Sequence, residues 1–112
     1  MSRNILADLP DSPDEIFETL LERPGIRIER IISSGQATPE GEWYDQAQDE
    51  WVLLCCGSAG LMIEGEPCPR RLAAGDFILL PAGCRHRVEW TAPDVKSVWL
   101  AVHFPDSVSP VA

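Results

Sequence analysis

The apolar runs in this chain are short, and that limits its fold more than any other feature. Trp51–Cys56, Leu61–Ile63, Phe77–Leu80 and Val98–Val102 are each too brief for a stable helix. Between them lie Gly57-Ser58-Ala59-Gly60, Pro67-Cys68-Pro69, Ala73-Ala74-Gly75-Asp76 and Pro81-Ala82-Gly83. Glycine supplies positive φ at turns and proline fixes a negative one, so the glycines and prolines in these positions punctuate strands; the chain has ten prolines and eight glycines in all. The spacing predicts roughly seven or eight short strands in about 80 residues, the rhythm of an antiparallel sandwich or barrel.

Before Pro24 the pattern differs. Ser12-Pro13-Asp14-Glu15 has the form of a helix start, with a capping hydroxyl, proline at the first helical position and a carboxylate three residues on. Ile16, Phe17, Leu20 and Leu21 share a face at helical spacing. A short N-terminal helix, docked as an apolar lid, is therefore expected over this stretch. From Ile26 the period becomes two: Ile26, Ile28 and Ile31 with Ile32 alternate with Arg27, Glu29 and Arg30, with one irregularity near Arg30. Glu50–Cys56 and Leu61–Glu64 flank a glycine turn and read as a hairpin. The expected division is an arm with a helix over 1–25, a barrel over 26–104 and a loose tail over 105–112.

With 112 residues and 45% apolar composition, the chain has one domain's worth of core. Nine basic against eighteen acidic residues leave a net charge of −9, which repels phosphate backbones and anionic bilayers. Nucleic acid and membranes are accordingly not expected partners. No apolar run approaches the ~20 residues of a membrane helix, and the start has no secretory apolar core. Cys55, Cys56, Cys68 and Cys84 match no zinc or redox spacing, so reduced thiols in a cytoplasmic protein are expected.

Two segments carry the chemistry. Gly75-Asp76-Phe77-Ile78-Leu79-Leu80-Pro81-Ala82-Gly83-Cys84-Arg85-His86 matches G-x5-P-x-G-x2-H throughout, although the asparagine that closes this pattern is replaced by Trp90. Glu50 is followed by six residues and Gly57, the second half of G-x5-H-x-H-x(3,4)-E-x6-G. The H-x-H half is absent: Trp43 and Asp45, or Tyr44 and Gln46, stand in the histidine positions. On these residues the chain resembles the cupins, over about 26–104. The resemblance implies an all-β fold, a small antiparallel β-barrel or jelly roll, dimeric, with a site inside its mouth. It also implies one divalent metal ion (zinc, iron, manganese or nickel), with Glu50 and His86 as the ligands that carry over directly.

Strand alternation sets the rest. If Glu50 points inward, so do Val52, Leu54 and Cys56; if His86 does, so do Val88 and Trp90. Such a pocket is apolar below and polar at its mouth, suited to a small organic ligand. Two donors make a weak metal site, and Asp45 is the obvious third ligand beside Glu50 and His86. His103 is an alternative whose strand phase the sequence does not decide. Tyr44, Gln46, Cys56 and Trp90 are candidate ligand contacts, and Glu50 with His86 a candidate acid–base pair. Two functions fit: a metal-dependent enzyme acting on a small polar metabolite, or a non-catalytic ligand-sensing or dimeric interaction module.

Overall fold

A computed structural model describes residues 2–105. It contains eight strands: β1 (Ile16–Arg23), β2 (Ile26–Ser33), β3 (Asp49–Cys56), β4 (Ser58–Ile63), β5 (Arg70–Ala73), β6 (Phe77–Leu80), β7 (His86–Thr91) and β8 (Ser97–Phe104). They form two facing antiparallel sheets, one ordered β1-β2-β8-β3-β6 and the other β5-β4-β7. This is the expected all-β jelly roll. Of the expected tail, residues 106–112 lie outside the described residues.

The expected N-terminal helix is a strand. Residues Ile16–Arg23 pair antiparallel with β2, from Ile16 against Ile32 to Arg23 against Ile26. Pro24 and Gly25 close this hairpin, with Gly25 at φ 81. The Ser12 hydroxyl does accept a backbone N–H, but from Asp14 two residues on, in a local turn. An isolated helix this short is marginal in water, so a ladder along β2 outweighs the helical spacing of four apolar residues.

The expected hairpin at Gly57 is also replaced. β3 and β4 lie in different sheets, and Gly57 carries the chain from one to the other. It has φ 89, and a Cβ there would stand 2.6 Å from the Cα of Ser97. Only glycine combines that conformation with that approach.

The core lies between the sheets and is built from Val52, Leu54, Leu61, Leu72, Leu80 and Trp99, with Ala59. Trp99 is buried whole because its Nε1–H donates to Ser33 Oγ at 3.2 Å. The opposite face of the five-stranded sheet is partly covered by the N-terminal arm. There the buried guanidinium of Arg30 donates to the carbonyls of Ile5, Ala7 and Asp8 and to the Glu18 carboxylate. No helix among the described residues is long and apolar enough to cross a membrane.

Candidate functional site

Pairing register brings charged side chains together in the barrel. Arg27 on β2 pairs with His103 on β8, His103 with Glu50 on β3, and Glu50 with Leu80 on β6. All four line one cavity of about 250 Å³. The next inward residues on β2, Glu29 and Ile31, line it as well. Arg27 and Glu29 of β2 thus line the barrel interior, whereas Arg30 lies on the opposite face. From the other sheet come His86 and Val88 on β7 and Leu61 on β4. Phe17, Glu15, Tyr44 and Gln46 complete the wall.

Local structure holds His86 firmly. Its imidazole Nδ1 is 3.0 Å from the Cys84 carbonyl oxygen. A carbonyl only accepts, so Nδ1 carries a proton and Nε2 is the ring nitrogen turned towards Glu50. Tyr44 bridges to His86 through two backbone hydrogen bonds of 2.8 and 3.1 Å, and the two rings stack with centroids 5.5 Å apart. The Pro81–Gly83 turn that delivers β7 is pinned by the Ala82 N–H donating to Asp49 Oδ1 at 2.8 Å and the Gly83 N–H donating to the Gln46 carbonyl at 2.9 Å.

Glu50 is 6% exposed, and its Oε1 has no hydrogen-bond partner. His86 Nε2 lies 3.6 Å from Oε1, and His103 Nε2 lies 3.8 Å from Oε2. Both are beyond hydrogen-bond range. The partner of His103 Nε2 is instead Glu29 Oε1, at 2.9 Å. Burial raises the Glu50 carboxyl above the ordinary carboxylate range; the imidazoles of His103 and His86 oppose this, Glu29 reinforces it and Arg27 opposes it. Burial also raises the Tyr44 phenol, helped by Glu15, Glu50 and Glu42. Arg85 and Arg87 bind elsewhere, to Glu64 and Glu89, and leave Glu50 to the cavity.

Of the residues singled out in the sequence, Glu50, His86, Tyr44 and Gln46 meet at the cavity. Asp45, Cys56 and Trp90 lie outside its lining, for local reasons. Asp45 is exposed on the loop. The β3–β8 ladder slips between Leu54 and Cys56, so Cys56 loses the inward phase of Leu54 and lies 3.6 Å from the Lys96 carbonyl. The β4–β7 ladder slips as well, pairing Leu61 with Val88 but Gly60 with Trp90. Glu89 is passed over, Trp90 changes face, and the Arg71 guanidinium lies 5.4 Å from its ring centre. Sequence reasoning missed Arg27, Glu29 and Glu15 and left His103 undecided. Arg27 and Glu29, two charged residues separated by one position on the same face of β2, were the available signal.

The expected metal ligands do not fit a divalent ion here. Asp45 is outside the cavity, and the proton on His103 Nε2 is committed to Glu29. That leaves Glu50 and His86, fewer than the three or four protein donors such sites use. Among the described residues no group of three His, Cys, Asp or Glu side chains is arranged to hold a metal. All four cysteines are free thiols.

Comparison with known proteins agrees with this architecture. No family model matches the chain. A crystal structure from Ralstonia eutropha JMP134, of a protein provisionally described as a mannose-6-phosphate isomerase, is 55% identical and superposes with a TM-score of 0.91 over 94% of this chain and 98% of that one. A cupin superfamily protein from Desulfitobacterium hafniense DCB-2 is 14% identical, with a TM-score of 0.75 over 91% of this chain and 87% of that one, and is similar in fold alone. An acireductone dioxygenase from Rhodopseudomonas palustris strain TIE-1 is 30% identical over 90 residues, which cover 79% of this chain. The chain spans 53% of that curated relative, about half its length. Two facing antiparallel sheets, a motif that delivers His86 into the barrel, and these relatives lead to one assignment: the chain belongs to the cupin superfamily.

Proposed function

We propose that this cupin binds a small, partly apolar molecule in its cavity and exchanges a proton with it through Glu50 and His86. The observation that carries the reading is the Glu50 carboxyl group, buried in the wall with one oxygen unpaired 3.6 Å from Nε2 of His86. An unpaired buried acceptor costs about 1–3 kcal/mol, which a bound donor recovers. Leu61, Leu80, Val88 and Trp99 supply the apolar wall for the rest of the ligand. Burial raises the proton affinity of Glu50, which makes it a stronger base towards a bound molecule than an exposed carboxylate. Tyr44 and Gln46 stand at the same cavity and contribute polar contacts. The isomerase description of the Ralstonia relative supports proton-transfer chemistry, since isomerisation of a sugar moves protons between neighbouring atoms.

The working unit of this proposal is a homodimer. Phe77 and Leu79, 65% and 50% exposed, sit beside Trp51 on the outer face of the five-stranded sheet, where a second copy would cover them. Free thiols suit a reducing, cytoplasmic setting.

The test is a thermal-shift screen of a small-metabolite library against the native chain, Leu61→Phe and Glu50→Gln. Compounds that stabilise the native chain should lose their effect in Leu61→Phe, which fills the cavity, and weaken at least tenfold in Glu50→Gln. Stabilisation unchanged in Leu61→Phe would place binding elsewhere. Stabilisation lost in Leu61→Phe but unchanged in Glu50→Gln would leave a ligand-sensing barrel without proton transfer.

A further inference from the structure

In the three-stranded sheet β7 pairs with β4 along one edge, and among the described residues no strand borders its other edge. The connection over residues 34–48 covers that edge instead. The Thr38 N–H donates to the Val88 carbonyl at 2.9 Å, and Thr38 Oγ1 accepts from the Val88 N–H at 2.9 Å. Further along, the backbones of Tyr44 and His86 exchange two hydrogen bonds. Between these attachments the chain leaves the edge and turns, with Gly41 at φ 83 and the Glu42 N–H donating to the Pro39 carbonyl at 3.1 Å.

Arg87 fills this turn. It lies between His86 and Val88, so strand alternation turns its side chain away from the cavity that they line. Its Nη2 donates to the Thr38 carbonyl at 3.1 Å, and its Nη1 to the carbonyls of Pro39 and Glu42 at 3.3 and 3.2 Å. The guanidinium carbon is 5.9 Å from the centre of the Trp43 ring, and Glu89 Oε2 lies 3.4 Å from Nε. The side chain is 13% exposed. A planar fork of fixed donors gathers three carbonyls at once, whereas a lysine ammonium is a point donor without that plane. Arg85 makes the contrast. Its guanidinium carbon is 5.4 Å from the same Trp43 ring, but its hydrogen bond goes to Glu64.

We propose that Arg87, outside the cavity itself, is a positioning residue for it: by fixing the 38–44 turn it holds the Tyr44 ring against His86 and keeps that wall closed. Tyr44 follows Trp43 directly, so a turn without its guanidinium loses support immediately before the stacked ring. Gln46, whose carbonyl accepts from the Gly83 N–H, is carried on the same connection. This rests on the reading of the cavity as the working site and adds the residue that keeps Tyr44 and Gln46 at its wall.

Amide hydrogen exchange followed by NMR tests it in the native chain, Arg87→Met, Arg87→Lys and Arg85→Met, with diethyl pyrocarbonate as the probe of histidine access. In Arg87→Met the Tyr44 amide should exchange at least tenfold faster, while the Leu54 amide, which donates to the Asp76 carbonyl, keeps its native rate. Modification of His86, read by peptide mass, should quicken at least fivefold, with His103 unchanged. Arg87→Lys, which retains the charge, should show both effects in the same direction, and Arg85→Met neither. A Tyr44 amide as protected in both Arg87 variants as in the native chain overturns the proposal, and so does a His86 that reacts no faster in either. Equal acceleration of Tyr44 and Leu54 overturns it as well, being an ordinary loss of stability. So does an effect of Arg85→Met as large as that of Arg87→Met. If Arg87→Met fails to fold, Arg87→Lys decides. No cavity ligand takes part, so an empty compound screen would sink the ligand reading and leave this one standing.

Discussion

At the scale of single residues, Glu50 is both the chemical centre and a local weakness. Burial lifts its folded proton affinity above the ordinary carboxylate value of 4.5. A carboxyl whose folded pKa is raised contributes stability that is fully present below its unfolded pKa and is lost as pH climbs through its folded pKa. The native protein should therefore lose stability relative to Glu50→Gln as pH rises from below 4.5 to 8. Chemical denaturation at several pH values checks this: the gap between the two proteins should grow with pH, and curves that run parallel would refute it. Gly57 is the backbone counterpart. With φ 89 and the Ser97 Cα 2.6 Å from where a Cβ would sit, it has no room for alanine.

At the scale of elements, Arg30 joins the N-terminal arm to the barrel. It is 2% exposed, and its guanidinium reaches three carbonyls of the arm as well as Glu18 on β1. Arg30→Ala removes all of these donors and leaves the partners unpaired. It should destabilise the fold by about 2–4 kcal/mol and free the arm. Urea unfolding measures the first effect, and limited proteolysis reads the second as faster cleavage near residues 4–9. A variant as resistant as the native chain would show that the arm is held by something else. The two ladder slips matter at this scale too. Each passes over one residue and so sends everything beyond it to the opposite face, which is how Cys56 and Trp90 leave the cavity.

At the scale of the whole molecule, the five-stranded sheet has one face on the core and the other only partly covered. Trp51 lies against Phe77, ring centres 5.4 Å apart, and pairs with Leu79 and Val102 in the ladder. Aromatic groups in such a patch are common anchors of protein interfaces. Trp51→Glu places a carboxylate in the proposed dimer contact. Sedimentation equilibrium should give twice the chain mass for the native protein and the single-chain mass for Trp51→Glu. A native monomer, or a variant dimer of undiminished affinity, would refute the homodimer.

Most of the architecture could be read in the order of residues, because its signals are local. Alternation between Ile26 and Ile32 and the glycine and proline breaks after Cys56, Ile63, Ala74 and Leu80 marked β2, β3, β4, β6 and β8 without knowledge of any partner. His86 was legible because the turn at Pro81–Gly83 delivers it at a set distance. Tertiary structure decided what depends on pairing. Ile16, Phe17, Leu20 and Leu21 satisfy a helix as well as a strand, and only the ladder with β2 selects the strand. Alternation states a period but not which face is inside, so Arg27 and Glu29 looked like solvent positions until the sheets closed around them. His103 joins Glu50 through a register spanning more than fifty residues of chain, a match made by folding rather than by spacing.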